Sequence, residues 1–211
     1  MIAPLDRGIY LASRSPRRRE LLTQIGVRYH LLLFRERPDS GVEVSEEPLA
    51  GEAPDAYVER VARAKAEAGW KRMLQRNLPH APVLAADTTV ALDGRILGKP
   101  ADRKEAATML ASLSGRSHEV LTAIAVQHVD RLGSALSRSE VRFKDLSARE
   151  IADYVASGEA DDKAGAYAIQ GAAARFVAEL RGSYSGVMGL PLFETAQMLE
   201  RLASPPPRRF S

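Results

Sequence analysis

One acidic residue stands inside an otherwise apolar stretch of the sequence. Asp87 lies in the run AADTTV, which reads as a buried strand. Because an unpaired carboxylate is costly to bury, this position calls for a metal ion, a basic side chain or a water molecule beside it. A hydrogen-bonded aspartate at a strand end is the alternative. Asp87 is therefore the first candidate for a catalytic group and for a metal ligand.

Three consecutive arginines begin a predicted helix. In YLASRSPRRRELL the pattern changes from strand to loop to helix, with Arg17 and Arg18 directly after Pro16. Backbone N–H groups and the positive end of the helix dipole meet at such a turn, and added arginines repel each other unless an anion binds there. Guanidinium groups match phosphate oxygens. The pattern indicates a site for a small phosphorylated anion, unless the arginines only extend into solvent.

Two lysines could complete such a site, although each could also be a solvated surface residue. Lys65 lies close to the apolar face of the longest predicted helix, and Lys99 follows a hairpin that could return its ammonium group toward Asp87. These groups suit attack of water on a phosphoanhydride, because an acid can hold a divalent cation or orient water while cations neutralise the leaving oxygens. His118 has no evident serine or acid partner, so nucleophilic catalysis is less supported.

The framework for these residues is an irregular alternation of strands and helices. Helices bounded by capping or stop residues are predicted at 16–25, 54–74, 102–114, 147–157 and 190–203. Strands are predicted at 9–12, 27–34, 81–100 with a hairpin turn at 93–94, 118–129 and 134–147, and strand with loop at 163–180. Residues 35–55 read as a loop or lid. The order favours a mixed α/β class over a simple doubly wound sheet.

The composition fits one domain over residues 1–203, followed by a Pro-rich tail at 204–211 that we expect to be disordered. A net charge of +3, from 30 Lys+Arg and 27 Asp+Glu, is too small an excess for a nucleic-acid-binding protein. The sequence contains no cysteine, which excludes disulfides and fits a cytoplasmic location. No window approaches the roughly 18 apolar residues of a membrane span, so we expect no membrane association.

Several separated motifs now point to a known family. The sequence contains neither GxxxxGK[ST] nor GxGxxG, so the P-loop and Rossmann sites are not indicated. It resembles the Maf family of nucleoside triphosphate pyrophosphatases in LASRSPRRRELL, AADTTV, GRILGKP, LSGRSHEVLTAIAV, DKAGAYAIQGAAARFV and GSYSGVMGLPLFET, in this order. The resemblance implies a fold like that of inosine triphosphate pyrophosphatases, an elongated mixed sheet flanked by helices, with a deep cleft between two lobes.

The same resemblance implies an activity and assigns residues to it. The expected reaction is hydrolysis of a nucleoside triphosphate between the α and β phosphates, with a divalent cation (Mg²⁺, Mn²⁺ or Co²⁺) as cofactor. Asp87 matches the family's proton acceptor for water. Arg18, Lys65 and Lys99 match positions tied to phosphate binding and catalysis. Ser13 and Glu20 lie in the same N-terminal motif, and Ser13 is assigned to substrate binding.

Three positions imply the branch of the family that acts on dTTP and UTP. That branch carries Arg after Ser-Pro, Thr after the catalytic Asp and Gln in the last motif, which here are Arg17, Thr88 and Gln170. The amide of Gln170 offers a donor and an acceptor, as the O4 and N3–H edge of thymine or uracil requires. The branch acting on 7-methyl-GTP carries Trp, SDQ and Glu in these places. A non-catalytic nucleotide-binding regulator of septum formation is the alternative from another class.

One stretch departs from the family pattern. Members usually have an acidic pair shortly after the second strand, whereas this chain reads LLLFRERPDSG there, with Glu36 and Asp39 only loosely placed. A carboxylate that supports the metal is therefore expected to be shifted or lost. Family members are often dimers, so a homodimer is an expectation that comes from the resemblance alone.

Overall fold

The computed structural model describes residues 8–33 and 44–203. The strands in these ranges are β1 (Ile9–Leu11), β2 (Tyr29–Leu31), β3 (Val83–Leu92), β4 (Arg95–Leu97), β5 (Ser117–His128), β6 (Arg131–Phe143) and β7 (Val177–Arg181). The α-helices are α1 (Pro16–Gln24), α2 (Pro54–Gln75), α3 (Arg103–Leu113), α4 (Ala148–Ala156), α5 (Tyr184–Val187) and α6 (Leu192–Ala203). Glu36, Asp39 and the predicted tail lie outside the described residues.

The strands form one mixed sheet, which confirms the predicted α/β class. Its order is β2-β1-β3-β5-β6-β7, with β4 paired to β3 off this path. β1 runs parallel to both β2 and β3, and the other pairings are antiparallel. The long β5–β6 hairpin is the antiparallel pair expected from the sequence. None of the helices in the described ranges has the length and apolar character needed to span a membrane.

A notch in the edge of β3 creates the cleft. One edge of β3 pairs with β5 from Val83 to Ala91. The other edge pairs with β1 at Val83 and Leu84 and with β4 from Val90 to Leu92. Within the described ranges, residues 85–89 have no strand partner on that second edge. The gap opens into a cleft of about 2210 Å³, which the ends of β1 and β4 flank.

Alternation along β3 sends successive side chains to opposite faces of the sheet. Val83 and Ala85 pack on the face covered by α2, whereas Leu84 and Ala86 pack on the face that carries α1 and α6. A separate apolar cluster forms the core beyond the cleft, around α3 and α4. Two packed lobes therefore lie on either side of the notch.

The N-terminal capping residues of α3 and α4 are in place, with one shifted contact. Ser147 and Glu150 form the reciprocal capping box of α4. At α3, the Asp102 side chain accepts from the backbone N–H of Glu105, whereas the Glu105 carboxylate accepts from the N–H of Ala101 and not from that of Asp102, as a reciprocal capping box would require. The Glu105 side chain thus binds the backbone of Ala101, the residue before the N-cap.

The segment 163–180 differs most from its prediction. Two short 3₁₀-helices, Ala164–Ala166 and Ala172–Phe176, lie in this range, and only Val177–Arg181 is strand. Gly165 has a φ of 66° and its N–H donates to the Gly98 carbonyl, while a Cβ there would lie 2.8 Å from the Val90 side chain. Close approach to β3 and β4 thus overrides the strand-like alternation. β2 is also shorter than predicted, and α5 was not predicted.

Candidate active site

Asp87 lies in the notch and pairs with a lysine from α2. Lys65 Nζ donates to Asp87 Oδ1 at 2.7 Å, and the Asp87 side chain is only 10% exposed. The same ammonium group is 2.7 Å from Oε1 of Glu46. The place of Lys65 near the apolar face of α2 has a physical reason, because that face points at the sheet and at Asp87. Lys65 thus compensates the charge of the buried acid.

Glu46 is a site residue that the sequence interpretation missed. It belongs to the stretch predicted as a loop or lid, and the missing acidic residue was sought earlier in that stretch. Burial acts to raise the pKa of Glu46, but the charges of Lys65, Lys99 and Arg18 lower it below its ordinary value. The sequence could have indicated Glu46, because Glu46 and Glu47 form an acidic pair shortly before α2.

Arg18 occupies the opposite face of β3, where all three guanidinium nitrogens donate hydrogen bonds. Nε donates to the Gly189 carbonyl at 2.7 Å, Nη1 to Ser13 Oγ at 3.1 Å, and Nη2 to Thr88 Oγ1 at 3.3 Å. Burial lowers the pKa of Arg18, and the charge of Asp87 partly offsets this. Three predicted site residues, Ser13, Arg18 and Thr88, are therefore joined in one network, and Arg18 does not extend into solvent.

The start of α1 carries a second arginine toward the cleft. Burial lowers the pKa of Arg17, which lines the cleft, while the charge of exposed Glu20 partly offsets this. Glu20 itself is not among the lining residues. Ser15 takes the N-cap position of α1 without a side-chain hydrogen bond, and its backbone N–H donates to Ser13 Oγ. The Ser13 hydroxyl oxygen thus accepts hydrogen bonds from the loop backbone at Ser15 and from the Arg18 side chain.

The far wall of the cleft comes from the other lobe. Gln170 is exposed there, and Lys163 lines the same space. Burial and the positive charge of Arg17 both lower the pKa of Lys163. The sequence interpretation did not single out Lys163, although it lies in the DKAGAYAIQG motif. Two cations from different lobes therefore face one another across the cleft.

Lys99 follows β4 and also lines the cleft. The sequence allowed its ammonium group either to return to Asp87 or to be solvated, and in the structure Lys65 is the lysine paired with Asp87. The charge of Lys99 acts instead on Glu46, whose pKa it helps to lower. Lys99 is thus a cation of the cleft and not the direct partner of the acid.

His118 is a core residue. It is 2% exposed, its Nε2 lies 2.8 Å from the Tyr167 hydroxyl, and its ring packs edge-on against Phe143. Burial lowers its pKa to about 4. His118 is thus neutral at pH 7 and packs against Phe143 and Tyr167 of the apolar cluster beyond the cleft.

The acids near Lys65 suit a divalent cation bound together with phosphate. Asp87 and Glu46 converge on one ammonium group, so they already share a position for positive charge. The described residues contain no cluster of three or more His, Cys, Asp or Glu side chains able to hold a metal. Mg²⁺ commonly takes one or two carboxylates and completes its shell with water and substrate phosphates. The pair therefore fits such a cation better than it fits an all-protein metal centre.

Known proteins similar in sequence to this chain indicate its family. The model of the family described as Maf-like protein matches residues 8–202. A dTTP/UTP pyrophosphatase of Nitrosomonas europaea is 58% identical over 200 residues, covering 95% of this chain and 97% of that protein. One of Aromatoleum aromaticum is 58% identical over 204 residues, covering 96% and 98%.

A solved structure, that of the Staphylococcus aureus Ham1 protein, overlaps with a TM-score of 0.45 and 19% identity, covering 65% of this chain and 72% of that one. The family assignment does not need this overlap, because the sequence match extends over almost all described residues. The chain belongs to the Maf family.

Proposed function

We propose that this protein hydrolyses dTTP and UTP to the nucleoside monophosphate and pyrophosphate. One observation carries the proposal: a buried acid, Asp87, lies in a sheet notch that cations from both lobes surround. Such a site suits a substrate with several negative charges and a water-activating step. Two relatives named dTTP/UTP pyrophosphatase support these substrates and pyrophosphate as a product. Release of pyrophosphate from a triphosphate requires a cut between the α and β phosphates.

In the proposed reaction, water attacks the α-phosphorus, the bond from that phosphorus to the oxygen bridging to the β-phosphate breaks, and pyrophosphate leaves. Asp87 accepts the water proton. Lys65 holds the Asp87 carboxylate in place, and Arg17, Lys99 and Lys163 neutralise charge on the phosphates. A divalent cation held by Asp87 and Glu46 would polarise a phosphoryl oxygen.

For base selection we propose Gln170 together with Thr88, whereas Arg17, the third position that implies this branch of the family, acts on the phosphates. Gln170 reaches the cleft from the other lobe, and its amide can donate to O4 and accept from N3–H of a pyrimidine. Gln170→Glu replaces the donor by an acceptor facing a carbonyl oxygen. We expect kcat/KM for UTP to fall about 100-fold relative to the wild type, because an unmatched polar group is left in the site. Equal relative rates across nucleotides would contradict this assignment.

A nucleotide panel tests the function. Purified protein is supplied with dTTP, UTP, CTP, dATP or 7-methyl-GTP, each with Mg²⁺, Mn²⁺ or Co²⁺, and both products are identified. We expect monophosphate and pyrophosphate from dTTP and UTP. Orthophosphate as product would overturn the position of the cut, and preference for 7-methyl-GTP would place the protein in the other branch. Tight binding of dTTP without any turnover would favour the regulator.

Two expectations complete the proposal. A chain without cysteine suits the reducing cytoplasm, and localisation of a tagged protein in cell fractions tests this. A homodimer is expected from the family, and sedimentation equilibrium of the purified protein measures it directly.

A further inference from the structure

Thr122 on β5 contacts both Thr88 and α5, the helix that precedes the Arg18 partner Gly189. The Cα atoms of Thr88 and Thr122 are direct partners in the β3–β5 ladder. Their hydroxyl oxygens lie 2.9 Å apart, and Thr122 Oγ1 lies 2.8 Å from the Gly186 carbonyl oxygen. Thr122 is fully buried. No role has been given to it so far, although it touches a residue that the proposed function uses.

Thr122 is the donor in this network. Its hydroxyl group donates toward Thr88 Oγ1 and toward the Gly186 carbonyl oxygen, and because a hydroxyl has one proton it serves one of these acceptors at a time. Since Arg18 can only donate, its bond to Thr88 uses a lone pair of the Thr88 oxygen.

The contacts close into a ring. From Thr88 they pass through Thr122 to Gly186, from the Gly186 carbonyl to the N–H of Gly189 at 2.9 Å, and from the Gly189 carbonyl to Arg18. Arg18 returns to Thr88. Residues from β3, β5, α1, α5 and the turn after α5 are thus held together by one closed set of hydrogen bonds.

We infer that Thr122 is a positioning residue that holds the Thr88 side chain in contact with the Arg18 guanidinium group. The inference rests on the proposed function, because it assigns a task within that site. Thr88 lines the cleft and Thr122 does not, so the orientation that Thr88 presents to a substrate depends on a side chain behind it. Thr122 thereby affects selection of the substrate without touching it.

The test is a double-mutant cycle on kcat/KM for dTTP. Thr122→Val removes the hydroxyl with little change in size, and we expect about a tenfold loss, since a hydrogen bond linked to a charged group is lost. Thr88→Val should cost a similar factor, and the double variant should be no worse than Thr88→Val alone, because both act through the same contact. Thr122→Ser should keep most of the activity.

A matched control separates positioning from stability. Thr195 is equally buried, and its hydroxyl donates to the Pro191 carbonyl at 2.7 Å, away from the cleft. Thr195→Val should lower the thermal midpoint and leave kcat/KM unchanged. Additive losses in the cycle, or an equal loss of kcat/KM in Thr195→Val, would overturn the inference. If Thr122→Val does not fold, Thr122→Ala provides the same test without a methyl group against the Gly186 carbonyl.

Failure of the proposed function is recognised separately. If wild-type protein releases no pyrophosphate from any nucleotide, that function is wrong, and crystal structures of wild type and Thr122→Val decide the inference. A rotated Thr88 side chain and a displaced Arg18 guanidinium group in the variant support it. Unchanged positions of both side chains overturn it.

Discussion

The two faces of β3 place neighbouring residues in opposite surroundings. On the α2 face, Asp87 pairs with the ammonium group of Lys65. Lys65 also pairs with Glu46, whose side chain is 49% exposed. On the other face, Thr88 belongs to a buried ring of neutral groups around one guanidinium. The first face holds charges that can be exchanged for a cation or a proton. The second holds a fixed set of donors and acceptors, which suits orientation rather than proton transfer.

This difference follows from the register of one strand. Because side chains alternate, Asp87 and Thr88 cannot share a face, and each takes the partners that its own helix layer supplies. The comparison teaches that chemistry and positioning can be separated at adjacent residues. Substitutions on the two faces should therefore fail in different ways.

The largest effect is expected on the charged face. Asp87→Asn keeps the shape of the side chain but cannot accept a proton, so we expect turnover to fall about 10³-fold. Lys65 keeps its ion pair with Glu46, and the thermal midpoint should change little. Pyrophosphate release and thermal unfolding measure the two results. Asp153→Asn, an exposed acid on α4, is the control. Wild-type turnover in Asp87→Asn would remove Asp87 from the chemistry.

On the positioning face, Arg18→Lys keeps the charge but loses the planar fork. A lysine cannot reproduce the three separate contacts to Ser13, Thr88 and Gly189, so we expect kcat/KM for dTTP to fall about 100-fold. Steady-state kinetics with dTTP measures this. Arg142→Lys, on the surface beside Glu179, should behave as wild type. If Arg18→Lys is fully active, only charge matters on this face and the distinction between the faces is lost.

A smaller effect should follow from the second acid. Glu46→Gln leaves Asp87 as one carboxylate for the cation, and we expect the Mn²⁺ concentration for half-maximal rate to rise about tenfold. Calorimetry of Mn²⁺ binding in the presence of product gives a readout apart from turnover. Glu47→Gln changes the neighbouring exposed glutamate, which does not line the cleft, and serves as the matched control. Equal cation dependence in both variants would remove Glu46 from the cation site.

The smallest effect on activity is expected at His118, which lies on neither face. Its folded pKa of about 4 is below the ordinary 6.5, so the unfolded chain binds the proton first as the pH falls. The free energy of unfolding therefore decreases between pH 6.5 and pH 4. His118→Gln removes this contribution to the pH dependence of the free energy of unfolding.

Denaturant unfolding at pH 7 and pH 5 measures the contribution of His118 to stability. From pH 7 to pH 5 the free energy of unfolding of the wild type should fall by about 2 kcal/mol more than that of His118→Gln. Turnover of the folded variant at pH 7 should stay near that of the wild type. A loss comparable to that of Asp87→Asn would return His118 to the site.

Much of this molecule could be predicted from local sequence. Pro16, the capping box at Ser147 and Glu150 and the β5–β6 hairpin follow from near-neighbour rules. The residues of the site could be named because their types are unusual in their settings. The segment 163–180 was mispredicted since Gly165 approaches Val90, a contact between residues far apart in sequence.

The sequence by itself determined which chemistry is present and which side chains alternate along β3. Only the tertiary structure decided the partners. Lys65 and not Lys99 meets Asp87, Glu46 joins them, and Arg18 reaches Gly189 across 171 positions of the chain. The physical reason is that periodicity and capping depend on residues within a few turns. The partner of a buried charge depends instead on which elements the whole sheet brings together.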